Sequence, residues 1–175
     1  MNIVLVGSRG SGKSIVAKCL SRMLGMAVIS TDELIVTREG QSIPDIVRNA
    51  GWDYFRDVEA AVVADVARHD HVIVDTGGGA VLRPENRTAL KKSGIVVWLK
   101  AEPTTIAARI KNDDNRPALT PGKTFLEEIA EVLEQRRQVY QEIADIQIQT
   151  DEKTPEEIAA EIARHVPNHG RMQST

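Results

Sequence analysis

Residues 7–14 read Gly7-Ser8-Arg9-Gly10-Ser11-Gly12-Lys13-Ser14, a G-x-x-x-x-G-K-S loop. Before it, Asn2-Ile3-Val4-Leu5-Val6 is a short apolar run rich in β-branched residues, which predicts a buried strand. After it, Val16, Ala17, Leu20, Met23 and Leu24 form a helical stripe. Strand, glycine loop and helix in this order confine the chain to folds that begin with a βα unit. They also name a ligand class. Glycines let successive backbone N–H groups curl around phosphate oxygens, and the helix N-terminus adds partial positive charge. Gly10, Ser11, Gly12, Lys13, Ser14 and Ile15 are therefore the candidate nucleoside-triphosphate-binding residues, with Lys13 reaching the β- and γ-phosphates and the Ser14 hydroxyl on magnesium. A plain glycine turn with a surface lysine is the bland alternative. A chance match to this motif in a chain of 175 residues is on the order of one in a hundred or rarer.

The rest of the chain alternates strand and helix signals. Strands are predicted at Met26–Ile29, His71–Asp75, Ile95–Leu99 and Ile146–Gln149, the last an edge strand by its alternating pattern. Helices are predicted over Thr31–Ala67, interrupted at Gly40 and Gly51, then over Pro84–Lys92, Pro103–Lys111 and Phe125–Ile143. A last helix opens at Thr154-Pro155-Glu156-Glu157, with Thr as cap and Glu at the third position. Residues 112–123 are polar, with two prolines and a glycine, and read as a loop; the tail beyond Pro167 is expected to be disordered. This is an α/β fold: a five-stranded parallel sheet covered by helices on both faces, a three-layer sandwich of the P-loop NTPase type.

Composition excludes several classes. Aromatics make up 3%, so the core must come from Val, Ile, Leu and Ala, and a net charge of −3 without a basic stripe argues against nucleic acid. Cys19 is alone, which excludes a disulfide framework, and no signal peptide or membrane span is apparent. A cytoplasmic monomer is the expectation.

Ligands of such sheets bind beyond the carboxyl ends of the strands. There the chain places the P-loop, Ser30-Thr31-Asp32, and Asp75-Thr76 followed by Gly77, Gly78 and Gly79. Asp32 is either a ligand-facing acid or a helix N-cap, a position Thr31 also suits. Asp75 ends a buried strand and fits a Walker-B acid acting on magnesium, directly or through water, better than a turn former. In the long helix Leu126, Ile129, Leu133, Tyr140 and Ile143 share a stripe on which Arg136 also falls, whereas Arg137 lies off it. A charge on that face either binds an anion or snorkels at the edge.

Over roughly residues 2–150 the chain resembles the shikimate kinases, which phosphorylate the 3-hydroxyl of shikimate with ATP, a step of chorismate and aromatic amino-acid biosynthesis. The resemblance rests on the P-loop, on Asp32-Glu33-Leu34-Ile35 followed by Gly40-Gln41-Ser42-Ile43 and Phe55-Arg56-Asp57-Val58-Glu59, on Gly77-Gly78-Gly79, on Arg116-Pro117-Ala118-Leu119, and on Arg136 with Tyr140. It implies a nucleoside-monophosphate-kinase-like domain over residues 1–167, with a substrate-binding segment near 31–61 and a lid near 112–124. It implies Lys13, Asp32 and Arg116 as catalytic residues, Asp32 being the base, with Arg56 and Arg136 clamping the substrate carboxylate. Gly77, Gly78 and Gly79 would offer backbone contacts to the substrate, Arg116 would close on the phosphates and Arg109 would lie against adenine. Magnesium would meet Ser14, with Asp75 and Asp32 acting through water. Other small-molecule P-loop kinases, for gluconate or nucleotides, are the alternative, and a non-catalytic nucleotide-binding regulator is a remoter one.

The chain departs from the family in places. Strand two usually ends Asp-x-Asp, and the first acid is Ser30 here. Asp75 stands where the family has a small or hydroxyl residue. Val36 and Trp52 replace glutamates, and Ala118 replaces a lid leucine.

Overall fold

A computed structural model describes residues 1–110 and 124–166 of the chain. The order is β1 (Asn2–Val6), α1 (Lys13–Leu24), β2 (Ala27–Ser30), α2 (Thr31–Glu39), α3 (Ile43–Val66), β3 (Val72–Asp75), α4 (Pro84–Ser93), β4 (Gly94–Lys100), α5 (Pro103–Ile110), α6 (Phe125–Ile143), β5 (Ile146–Gln149) and α7 (Pro155–His165). The strands form one parallel sheet in the order β2-β3-β1-β4-β5, so β5 lies at an edge as its pattern predicts.

Alternation along each strand sends side chains into two cores. Val4, Val6, Val74, Val96 and Trp98 face one layer, packed against α2, α3, α4 and α6. Ile3, Leu5, Ile73, Val97 and Leu99 face the other, against α1 and α7. Both faces are thus covered, which is why the strands read as continuous apolar runs rather than as alternating ones. Ile106, Ile110 and Ile129 form a third, smaller cluster that ties α5 to α6.

The helix limits follow local signals. Thr124 and Thr154 both make complete capping boxes, with Glu127 and Glu157, and so fix the starts of α6 and α7. Gly40 closes α2, and the long α3 breaks at Gly51. The stripe on α6 is buried at Ile129, Tyr140 and Ile143, while Leu126 is exposed at its N-terminal end. Cys19 is buried, and Arg137 is exposed beside Glu134. Among the described residues no helix is long and apolar enough to cross a membrane. Most of the predicted lid segment, Arg116 included, and the tail beyond residue 166 lie outside the described residues.

Candidate active site

The carboxyl ends of β1, β2 and β3 open on a cleft of about 960 Å³ lined by Gly10, Gly12, Lys13, Ser14, Ile15, Ser30, Asp32, Asp75 and Gly78. Its floor is the P-loop. Gly12 has φ 96°, a left-handed conformation that an L side chain rarely adopts, and from it the chain turns directly into α1. Lys13 is buried, and its ammonium donates to the carbonyls of Gly7 at 2.9 Å and Ser8 at 3.0 Å. Burial lowers its pKa, while Asp75 and Asp32 oppose that shift. The Ser11 N–H donates to Ser8 O at 3.2 Å, closing the loop's turn, and its buried hydroxyl has no partner among the described residues. Ile15 is exposed along the cleft wall.

Arg109 sits behind the loop. It donates to Gly10 O at 3.1 Å and to the Thr150 hydroxyl and carbonyl at 3.3 Å, so it ties the P-loop to the end of β5. It does not line the cleft.

The end of β2 resolves one open reading. The cap of α2 is Ser30, whose hydroxyl accepts from Glu33 N at 3.3 Å. Neither Thr31 nor Asp32 caps the helix. Thr31 instead accepts from Gly77 N at 2.9 Å, which anchors the glycine triplet to α2. Asp32 is left facing the cleft, against Gly77, where an added Cβ would lie 2.6 Å from its Oδ1. Burial raises the pKa of Asp32, with Lys13 the largest opposing influence. Asp75 is buried and accepts from the Ser14 hydroxyl at 2.5 Å. A hydroxyl and a carboxylate in contact at the mouth of a P-loop are hard oxygen donors, a set that suits magnesium. Among the described residues no group of three or more His, Cys, Asp or Glu could cage a metal. The donor set therefore fits an ion held mainly by phosphates and water.

A second cavity of about 310 Å³ adjoins the first across Asp32 and Gly78 and is lined by Trp52, Arg56, Glu59, Gly77, Gly79 and Arg136. Arg56 pairs with Glu59 at 2.5 Å; the carboxylate is 1% exposed. The guanidinium also lies over the rings of Trp52 (5.5 Å) and Phe55 (5.1 Å), a placement that favours a cation. A Cβ at Gly79 would run into this guanidinium, so only glycine lets it approach the triplet. On the other side Arg136 donates to Gly78 O at 3.1 Å, and Tyr140 donates to the same oxygen at 2.5 Å. Arg136 is therefore not a snorkelling surface residue; it turns inward.

Two pieces of this cavity had no role assigned from sequence. Glu59 falls on the buried face of α3 with Phe55, Val58, Val62, Val63 and Val66, the same signal that singled out Arg136. Arg9, which lines both cavities, carries no periodic signal because it sits within the loop.

A family model described as shikimate kinase matches residues 9–167. A shikimate kinase of Dehalococcoides mccartyi is 41% identical over 161 residues, covering 92% of this chain and 90% of its own length. One from Symbiobacterium thermophilum is 40% identical, covering 97% of this chain and 98% of its own. Among solved structures, a shikimate kinase from Acinetobacter baumannii in complex with shikimate superposes with a TM-score of 0.90 at 30% identity, covering 98% of this chain and 95% of that one. With matches of this extent, on top of a P-loop beside an arginine-flanked glycine triplet, the chain belongs to the shikimate kinase family.

Proposed function

We propose that the two cavities divide the shikimate kinase reaction between them, with ATP over the P-loop and shikimate in the arginine-lined cavity. The observation that carries this division is the placement of Arg56 and Arg136 on either side of Gly78 and Gly79, with Asp32 on the boundary between the cavities. Two guanidinium forks at one short stretch of backbone suit a planar carboxylate. Residues 31–61 thus serve as the substrate-binding segment, since Asp32, Arg56 and Glu59 all come from it.

In this reading Arg56 and Arg136 hold the carboxylate and the glycine triplet offers backbone contacts. The 3-hydroxyl is then presented to Asp32, whose carboxylate accepts its proton as the oxygen attacks the γ-phosphorus of ATP; the bond from that phosphorus to the β,γ-bridging oxygen breaks, giving shikimate 3-phosphate with ADP as the leaving group. A raised pKa makes Asp32 a stronger base than an ordinary carboxylate. Lys13 exchanges the Gly7 and Ser8 carbonyls for phosphate oxygens, and its charge follows the transferring group. Magnesium, when bound, neutralises charge on the β- and γ-phosphates. Ser14 and, through water, Asp75 and Asp32 are the residues that would hold it. Arg109 supports the nucleotide side by fixing the P-loop backbone. Arg116 keeps the phosphate-facing role implied by the family resemblance.

A coupled ADP-release assay across shikimate, gluconate, other hydroxy acids and nucleoside monophosphates tests the substrate. Shikimate turnover far above the others is expected; equal or better turnover of gluconate or a nucleotide refutes the reading.

A further inference from the structure

The mechanism above does not use the buried hydroxyl of Tyr140. Tyr140 is 1% exposed, on the inner face of α6, and its ring stacks on Trp98 of β4 with centroids 5.5 Å apart and planes at 23°. Phenylalanine would meet that packing need equally well. The hydroxyl serves a different contact, the 2.5 Å hydrogen bond to Gly78 O. Arg136, one turn earlier on the same helix, donates to the same oxygen at 3.1 Å. Two donors from one helix converge on one carbonyl, 58 and 62 residues away in sequence.

That carbonyl belongs to the peptide group whose N–H is Gly79's. The peptide unit is planar and trans, so fixing the direction of the C=O fixes the opposite direction of the N–H. Donors on the oxygen also polarise the unit and strengthen the N–H as a donor. The Arg56 guanidinium lies against Gly79 of the same triplet, and that of Arg136 lies against Gly78. Burial raises the pKa of Tyr140, which keeps its hydroxyl protonated and donating.

We propose that Tyr140 is a positioning residue for substrate recognition: by sharing the Gly78 carbonyl with Arg136 it fixes the glycine triplet and the Arg136 guanidinium relative to each other at the wall of the substrate cavity. The inference rests on the carboxylate clamp described above. Trp98 completes the device by holding the phenol ring from β4, which leaves the hydroxyl little freedom to leave Gly78.

The test compares wild type, Tyr140→Phe and Arg136→Lys by calorimetric titration with shikimate and separately with ATP, and by the amide 15N shift of Gly79 in the ligand-free protein. Tyr140→Phe keeps the stacked ring and removes only the hydroxyl. Shikimate binding is expected to weaken about three- to tenfold, with ATP binding unchanged, KM for shikimate raised and kcat nearly held. The Gly79 amide shift is expected to move without any ligand. Unchanged shikimate affinity in Tyr140→Phe overturns the inference, whether or not Tm falls. Equal weakening of ATP and shikimate overturns it as well, because that pattern is general loosening. If Arg136→Lys loses shikimate while Tyr140→Phe does not, this inference alone fails. If neither variant loses affinity, the clamp itself is wrong.

Discussion

Ser30 and Asp75 are register partners across the parallel β2–β3 pair, ending neighbouring strands on the rim of one cleft. In the family pattern the acid stands at the Ser30 position and the small or hydroxyl residue at that of Asp75. This chain has the two exchanged across a single rung of the sheet. Ser30 is engaged as the cap of α2, while Asp75 reaches the Ser14 hydroxyl. The carboxylate thus ends β3 instead of β2 and lies beside the Ser14 hydroxyl of the P-loop. A magnesium ion that keeps several waters needs only one or two protein carboxylates nearby, so either strand can supply one. Asp75→Ala is expected to raise the magnesium concentration needed for half-maximal activity and to weaken Mn²⁺ binding to the ADP complex, read by electron paramagnetic resonance. The Ser30→Asp/Asp75→Ala double variant is expected to regain part of both. An unaltered metal requirement in Asp75→Ala would end the exchange idea.

The clamp makes a separate prediction. Arg136→Ala and Arg56→Ala should each weaken shikimate binding by about 2–5 kcal/mol, the range for losing one member of a buried charge-assisted contact. ATP affinity should change little, since neither side chain lines the P-loop cleft. Calorimetry that finds normal shikimate binding in both variants would remove the assignment.

Glu59 links this clamp to pH. Burial raises its pKa, and Arg56 beside it opposes the shift without cancelling it. The unfolded-state value is about 4.3. For an acid raised on folding, the native state binds more protons between the two values, so the stability contribution is present below about 4.3 and is lost as pH rises through the folded pKa. Glu59→Gln removes this titration and keeps an oxygen for Arg56. The stability of wild type relative to Glu59→Gln should therefore fall as pH rises from 4.3 through the raised pKa, as scanning calorimetry would show. A relative stability that grows with pH would mean that the ion pair outweighs burial.

What could be read from sequence follows from how local each signal is. The P-loop, the cap at Thr154 and the apolar runs of the strands act within a few residues, and they located the sheet, its helices and the strand-end site. Asp32 could not be separated from a helix cap, because three adjacent residues, Ser30, Thr31 and Asp32, all carry a capping oxygen. Only the backbone shows that Ser30 takes the cap and that Thr31 is drawn away to Gly77. Glu59 was legible by periodicity, since a charge on a buried helical face requires a partner. The convergence of Tyr140 and Arg136 on Gly78 was not, because it depends on how α6 crosses the end of β3, a tertiary fact with no local trace.

Gly79 offers the sharpest steric test of the substrate cavity. Its backbone, at φ −99° and ψ 1°, is open to any L-residue, so Gly79→Ala introduces no backbone strain. What the new methyl group meets is the guanidinium of Arg56, with Nη2, Nη1 and Cζ all inside van der Waals contact. That end of the side chain can swing, but only by leaving its 2.5 Å pairing with Glu59 and its place over the Trp52 and Phe55 rings. The fold should therefore survive, with Tm little changed, while shikimate affinity drops more than tenfold, about 1.4 kcal/mol or more. ATP binding should be untouched. Because the methyl and Glu59 act on one guanidinium, Gly79→Ala/Glu59→Gln should cost shikimate binding less than the sum of the single changes. Normal shikimate affinity in Gly79→Ala would show that Arg56 binds the substrate from a different position, and strict additivity would show that Glu59 does not hold it there.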